Sequence, residues 1–97
     1  MPESVAYVAT DRAERYLKQL ASHFGHKVPV VREGPHAEFS FDMGYGVADA
    51  SRGYLVLTAQ ARSANDLVSV QDILARHLAE FGERDGLTVS WSPAIAA

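Results

Sequence analysis

Thr10-Asp11-Arg12-Ala13-Glu14-Arg15-Tyr16-Leu17-Lys18-Gln19-Leu20-Ala21-Ser22-His23-Phe24-Gly25-His26-Lys27 reads as one complete amphipathic helix. Ala13, Tyr16, Leu17, Leu20 and Phe24 recur at helical spacing and mark the face that must be buried. Asp11 and Glu14 form a D-x-x-E start signal, in which each carboxylate is placed to accept an orphan N–H of the first turn. Gly25 suits the left-handed position that ends a helix. His26 and Lys27 follow, where the helix dipole favours positive charge.

On either side of this helix the pattern switches to period two. Ser4 to Ala9 is short and β-prone, with Val5, Tyr7 and Ala9 on one face. Val28 to Arg32 reads as a strand whose Pro29 places it at an edge or a strand start. Glu33-Gly34-Pro35 is a turn. Next comes a clean alternation: Ala37, Phe39, Phe41 and Met43 point one way, His36, Glu38, Ser40 and Asp42 the other. Gly44-Tyr45-Gly46 reads as a turn or bulge, Val47 to Ala50 as a weak strand, and Ser51-Arg52-Gly53 as a hairpin. Tyr54 to Ala61 is a strong strand.

Ser63-Ala64-Asn65-Asp66 is a second helix start. Leu67, Val70, Ile73, Leu74, His77, Leu78 and Phe81 form the stripe behind it. Leu87, Val89 and Trp91 alternate in a final strand, and residues 93–97 read as a loose tail. The expected architecture is a single α+β domain over residues 1–97, in the order β-α-β-β-β-β-α-β. Tight turns between consecutive strands imply a mainly antiparallel sheet. Two helices with one apolar stripe each are buried most economically on one face of it, as a two-layer sandwich.

Composition narrows the function classes. The chain has 97 residues, 47% of them hydrophobic and 22% charged, which is an ordinary globular balance. There is no cysteine, which excludes disulfides, thiolate metal sites and cysteine nucleophiles. Met1-Pro2-Glu3-Ser4 carries no basic start and no apolar run, so a cytoplasmic location without a secretory signal is expected. No apolar run approaches the ~20 residues that span a bilayer, so no membrane association is expected. A net charge of −3 argues against nucleic acid as a partner. The charge is uneven: Arg12, Arg15, Lys18 and Lys27 outnumber Asp11 and Glu14 around the first helix, whereas the second is acidic.

The candidate chemistry lies in the histidines and in one arginine. His23 and His26 have H-x-x-H spacing, and imidazole is a common ligand for zinc, iron and copper. The intervening glycine degrades that geometry, and a third ligand such as His77 or His36 is needed. His77 lies on the apolar stripe between Leu74 and Phe81, and helices packed side by side bring it toward His23. Arg15, beside Tyr16, is a residue type that clamps a carboxylate or phosphate with two parallel hydrogen bonds. The wet face of the sheet carries His36, Glu38, Ser40, Asp42, Tyr54, Val56, Thr58 and Gln60, a mixture that suits a subunit contact better than bare solvent. No phosphate loop, nucleophile elbow or dinucleotide fingerprint is present.

Thr10-Asp11 followed by Arg15-Tyr16-Leu17, Gln19-Leu20, His23 and His26-Lys27 resembles the start of a small bacterial family of unknown function. His77-Leu78, Phe81 and Leu87-Thr88-Val89-Ser90-Trp91 are similar to that family's C-terminal pattern. The family occurs alone or fused to siderophore-interacting proteins, which are flavin-dependent ferric-siderophore reductases. The chain departs from it where relatives often carry a cysteine (Ala21 here) and an aromatic-basic stretch (Gly82-Glu83-Arg84-Asp85 here), so no thiol role is carried over. The resemblance implies a non-enzymatic binding or accessory module linked to siderophore and iron handling. Its partner would be an anionic iron-siderophore or a flavin reductase, its ligand-binding residues Arg15, Tyr16, His23, His26, Lys27 and His77, with no cofactor and no resident metal. Two further readings stand beside it: a histidine-based metal protein or enzyme using His23, His26 and His77, and a homodimer formed through the open sheet face.

Overall fold

The computed structural model describes residues 2–96. Its elements are β1 (Pro2–Ala9), α1 (Ala13–Gly25), β2 (Val30–Glu33), β3 (His36–Phe41), β4 (Gly44–Ser51), β5 (Tyr54–Ala61), α2 (Ala64–Phe81) and β6 (Ile95–Ala96), with a single 3₁₀ turn at Glu83–Asp85. The strands form one sheet in the order β2-β3-β4-β5-β1-β6, and every pairing is antiparallel. Three consecutive hairpins build β2 to β5, and β1 returns beside β5. The edge position of β2 agrees with Pro29, whose missing N–H is tolerated there.

Both helices lie on one face. The strand residues beneath them are small or aliphatic: Ser4, Ala6 and Val8 on β1, Ala48 on β4, and Leu55, Leu57, Ala59 and Ala61 on β5, all buried. Against these pack Leu17, Leu20 and Phe24 of α1 and Leu67, Val70, Leu74 and Leu78 of α2. Phe39 meets Phe24 with ring centroids 5.1 Å apart. The expected two-layer α+β sandwich is the observed one. No described helix is long and apolar enough to cross a membrane.

Several local expectations are corrected. Gly44-Tyr45-Gly46 is not a turn; β4 begins at Gly44, and the chain reverses at Asp42-Met43. The glycines answer a packing demand instead. A Cβ on Gly44 would meet the Gln60 carbonyl oxygen at 2.3 Å and Val70 Cγ2 at 2.8 Å, and one on Gly46 would meet Leu74 Cδ1 at 3.2 Å. They let α2 approach the sheet closely. The D-x-x-E signal does not cap α1: its N-cap is Arg12, without a side-chain cap bond, and the Arg12 N–H donates to Thr10 Oγ1 at 3.1 Å. Gly25 is the last helical residue and has no positive φ; His26 follows in the right-handed region. The second start signal holds, since Ser63 Oγ accepts the Asp66 N–H at 3.1 Å.

The final strand is displaced. Of Leu87–Trp91 only Trp91 bridges the sheet, opposite Ala6, and Ile95–Ala96, within the stretch read as a loose tail, pairs with Pro2 and Glu3. The physical cause lies in Ser92, whose N–H donates to the Val5 carbonyl and whose carbonyl accepts from the buried Ser4 hydroxyl at 2.6 Å. A buried hydroxyl needs a partner, and Ser4 finds it in the C-terminal segment. Ala97 lies outside the described residues.

Candidate functional site

α1 and α2 pack antiparallel, so the basic helix and the acidic one meet along a seam. Tyr16 near the start of α1 reaches Asp85 beyond the end of α2, and His23 near the end of α1 reaches His77 inside it. Two clefts result, and they divide the sequence-predicted residues between them.

The first cleft, of about 350 Å³, lies beside the 3₁₀ turn between Arg12, Arg15, Tyr16 and Gln19 on one side and Glu80, Phe81, Glu83, Arg84 and Asp85 on the other. Arg15 is exposed here. Tyr16 is buried and its hydroxyl donates to Asp85 Oδ2, while Arg12 lies 3.8 Å from the same oxygen. The hydrogen bond to Asp85, followed by burial, raises the Tyr16 pKa above its ordinary value. Three arginines are thus balanced by three carboxylates, which leaves the cleft without a net field for an anion.

The second cleft, of about 360 Å³, opens where α1 ends. Phe24, Phe41, Met43 and Ile73 line it with apolar surface, Lys27 and Arg76 supply two cations against the one carboxylate of Asp42, and His23 and His77 also line it. The two imidazoles have ring centroids 4.6 Å apart at 42°. Phe24 packs edge-on against His77 at 5.1 Å, and Phe81 against His23 at 5.6 Å. His77 Nδ1 lies 2.8 Å from the Ile73 carbonyl oxygen. A carbonyl only accepts, so Nδ1 carries the proton, and in the neutral ring Nε2 is left as an acceptor.

His23 Nε2 and Gln19 Oε1 are both buried with no partner. Burial, and then the charge of a protonated His77 and of Lys27, lower the His23 pKa below its ordinary value. An orphan buried polar atom costs on the order of 1–3 kcal/mol, and the two lie four residues apart on α1.

His26 is exposed and lines neither cleft; it shares a shallow groove with Lys18, Gln19, Ser22 and His23 of α1 and Phe81 of α2. Of the six residues proposed from sequence, His23, Lys27 and His77 therefore meet in one cleft, Arg15 and Tyr16 in another, and His26 in neither. Among the described residues no group of three or more histidines and carboxylates is arranged to hold a metal ion.

Two features were not foreseen. Arg76 joins Lys27 only because the chain folds back, although its i,i+3 spacing from Ile73 placed it on the flank of the α2 stripe. On the uncovered sheet face, His36 Nδ1 lies 2.5 Å from Asp49 Oδ1 and Nε2 lies 2.8 Å from Glu38 Oε2, while Tyr45 donates to Glu38. The bonds to Glu38 and Asp49 raise the His36 pKa, and those from Tyr45 and His36 lower that of Glu38. The signal for this cluster was the β3–β4 register, which sets His36 opposite Asp49.

No curated protein matches the chain. The NMR structure of PA4090 from Pseudomonas aeruginosa is similar to it over 99% of this chain and 100% of that one, with a TM-score of 0.84 and 25% sequence identity. Residues 5–92, from the first strand through the Trp91 bridge, match a family described as uncharacterized proteins conserved in bacteria. The chain belongs to that family, DUF2218.

Proposed function

We propose that this chain is a non-enzymatic binding module of siderophore and iron handling, and that its ligand sits in the cleft at the end of α1. The supporting observation is the composition of that cleft. It joins an aromatic and aliphatic floor (Phe24, Phe41, Ile73) to two cations (Lys27, Arg76) set against one carboxylate (Asp42), with the imidazoles of His23 and His77 beside them. Ligand sites are concave and mostly apolar, with a few convergent polar groups. A compact anion with aromatic surface, such as an iron-catecholate chelate, matches both halves of this lining. A flavin-dependent reductase is then the partner that consumes the bound chelate. Arg15 and Tyr16 fall outside the ligand contact in this reading, since Tyr16 is engaged with Asp85.

Calorimetric titration with the gallium(III) complex of 2,3-dihydroxybenzoate, a diamagnetic substitute for the ferric one, tests the reading. Saturable binding is expected, and Lys27→Glu combined with Arg76→Glu is expected to abolish it. No heat with the native chain, or equal affinity in the double variant, overturns the proposal.

A further inference from the structure

We propose that the uncovered face of the sheet is a homodimer interface, on which a second copy of this chain packs about a two-fold axis running along the strands. The helices occupy the other face, so this one is left to solvent or to a partner. Its aromatic and aliphatic content is high for solvent: Tyr7 is 68% exposed, Val31 58% and Tyr54 46%, and Tyr7 and Tyr54 stack edge to face at 6.3 Å.

Size and charge both favour a second copy as the occupant. Five strands of four to eight residues, spaced about 4.8 Å apart at about 3.3 Å rise, make a plane of roughly 540 Å². Covered with side chains, such a plane exposes more than its outline. That brings it near the roughly 800 Å² per partner that specific interfaces bury.

The registers decide the orientation. Glu33, His36, Asp49, Val56 and Tyr7 lie in one row across β2, β3, β4, β5 and β1. Val31, Glu38, Val47, Thr58 and Val5 lie in the next. The acidic residues of these rows are confined to β2–β4, whereas β5 and β1 supply valines and hydroxyls. A two-fold along the strands, passing over β4, reverses strand order between the copies. Val31 then lies over the partner's Val5, Glu38 over the partner's Thr58, and Glu33 over the partner's Tyr7. Glu33 and Glu38 each face a hydroxyl able to donate to them, and Val47 and Asp49, both on β4, meet their own copies at the centre. Asp49 meets the partner's Asp49 on the axis, and there each carboxylate is bonded to its own His36 ring 2.5 Å away, which offsets its charge. Away from the axis no carboxylate lies over another, and each pairing occurs twice, as a two-fold interface requires.

Sedimentation equilibrium on the full chain across the micromolar range tests this. The native chain is expected at twice its 10.5 kDa mass. Val47→Glu, which sets two carboxylates without an imidazole partner against each other on the axis, is expected to give a monomer with an unchanged circular dichroism spectrum and a lower melting temperature. Val68→Glu, at an exposed valine on α2, is the control and is expected to remain dimeric. A native chain that is monomeric at high micromolar concentration overturns the proposal. So does a dimer that survives Val47→Glu, or one that dissociates with Val68→Glu.

Discussion

His23 and His77 face each other across the helix seam with ring centroids 4.6 Å apart, one imidazole bonded through Nδ1 to its own helix and the other with a buried, unpartnered Nε2. Two charged imidazoles at that separation repel, and His23 is also desolvated, so the folded chain holds His23 neutral more readily than the unfolded chain does.

This contrasts with His36, and the contrast is measurable. The folded pKa of His23 lies below the ordinary 6.5, so its stabilising contribution is present above that pH and is lost as pH falls through the folded value. That of His36 lies above 6.5, so its contribution is complete below 6.5 and is lost as pH rises through the folded value. A histidine-ring NMR titration should place the His23 midpoint below that of His36. The reverse order would contradict both assignments.

The glycines of β4 should not tolerate enlargement equally. Alanine at Gly44 meets a backbone carbonyl at 2.3 Å, whereas at Gly46 it meets the ends of Phe41 and Leu74 side chains at 3.1 and 3.2 Å. Overpacking costs about 1–3 kcal/mol. Gly44→Ala is expected at or above the top of that range and Gly46→Ala near the bottom, read from urea unfolding midpoints.

Helix capping separates the two helix starts. Ser63→Ala removes the hydroxyl that accepts the Asp66 N–H and should cost about 1 kcal/mol. Asp11→Ala removes no capping bond, because Arg12 is the N-cap and Thr10 takes its N–H. Thermal melts of the two variants should differ by several degrees; equal losses would mean that Asp11 caps α1 in solution.

Tyr16→Phe keeps the buried ring and removes only the hydroxyl donated to Asp85. A hydrogen bond to a charged group contributes about 1.5–3 kcal/mol. A loss in that range is expected in chemical denaturation, without loss of ligand affinity, since Tyr16 belongs to the other cleft.

Much of this fold was legible because local signals agree with tertiary demands. Ser63 and the stripe from Leu67 to Phe81 define α2 unambiguously, and the alternation in Tyr54–Ala61 defines β5. Gly44 and Gly46 misled because glycine size is a tertiary requirement here, set by Val70 and Leu74 two elements later. Asp11 misled because a capping pattern describes an opportunity that Thr10 pre-empts. The site was half legible. His77 is visible on its stripe and His23 at the end of its helix, but their meeting depends on the antiparallel seam. The split between Arg15 and Lys27, and the arrival of Arg76, follow from that seam and from nothing local.

The most direct test of the account is residue-by-residue NMR mapping of the gallium(III)–2,3-dihydroxybenzoate complex on the isotope-labelled chain. Saturable shifts are expected, centred on Phe24, Lys27, Phe41, Ile73, Arg76 and His77, with Arg12, Arg84 and Asp85 unmoved. Shifts confined to those last three residues, or none anywhere at saturating complex, would contradict it.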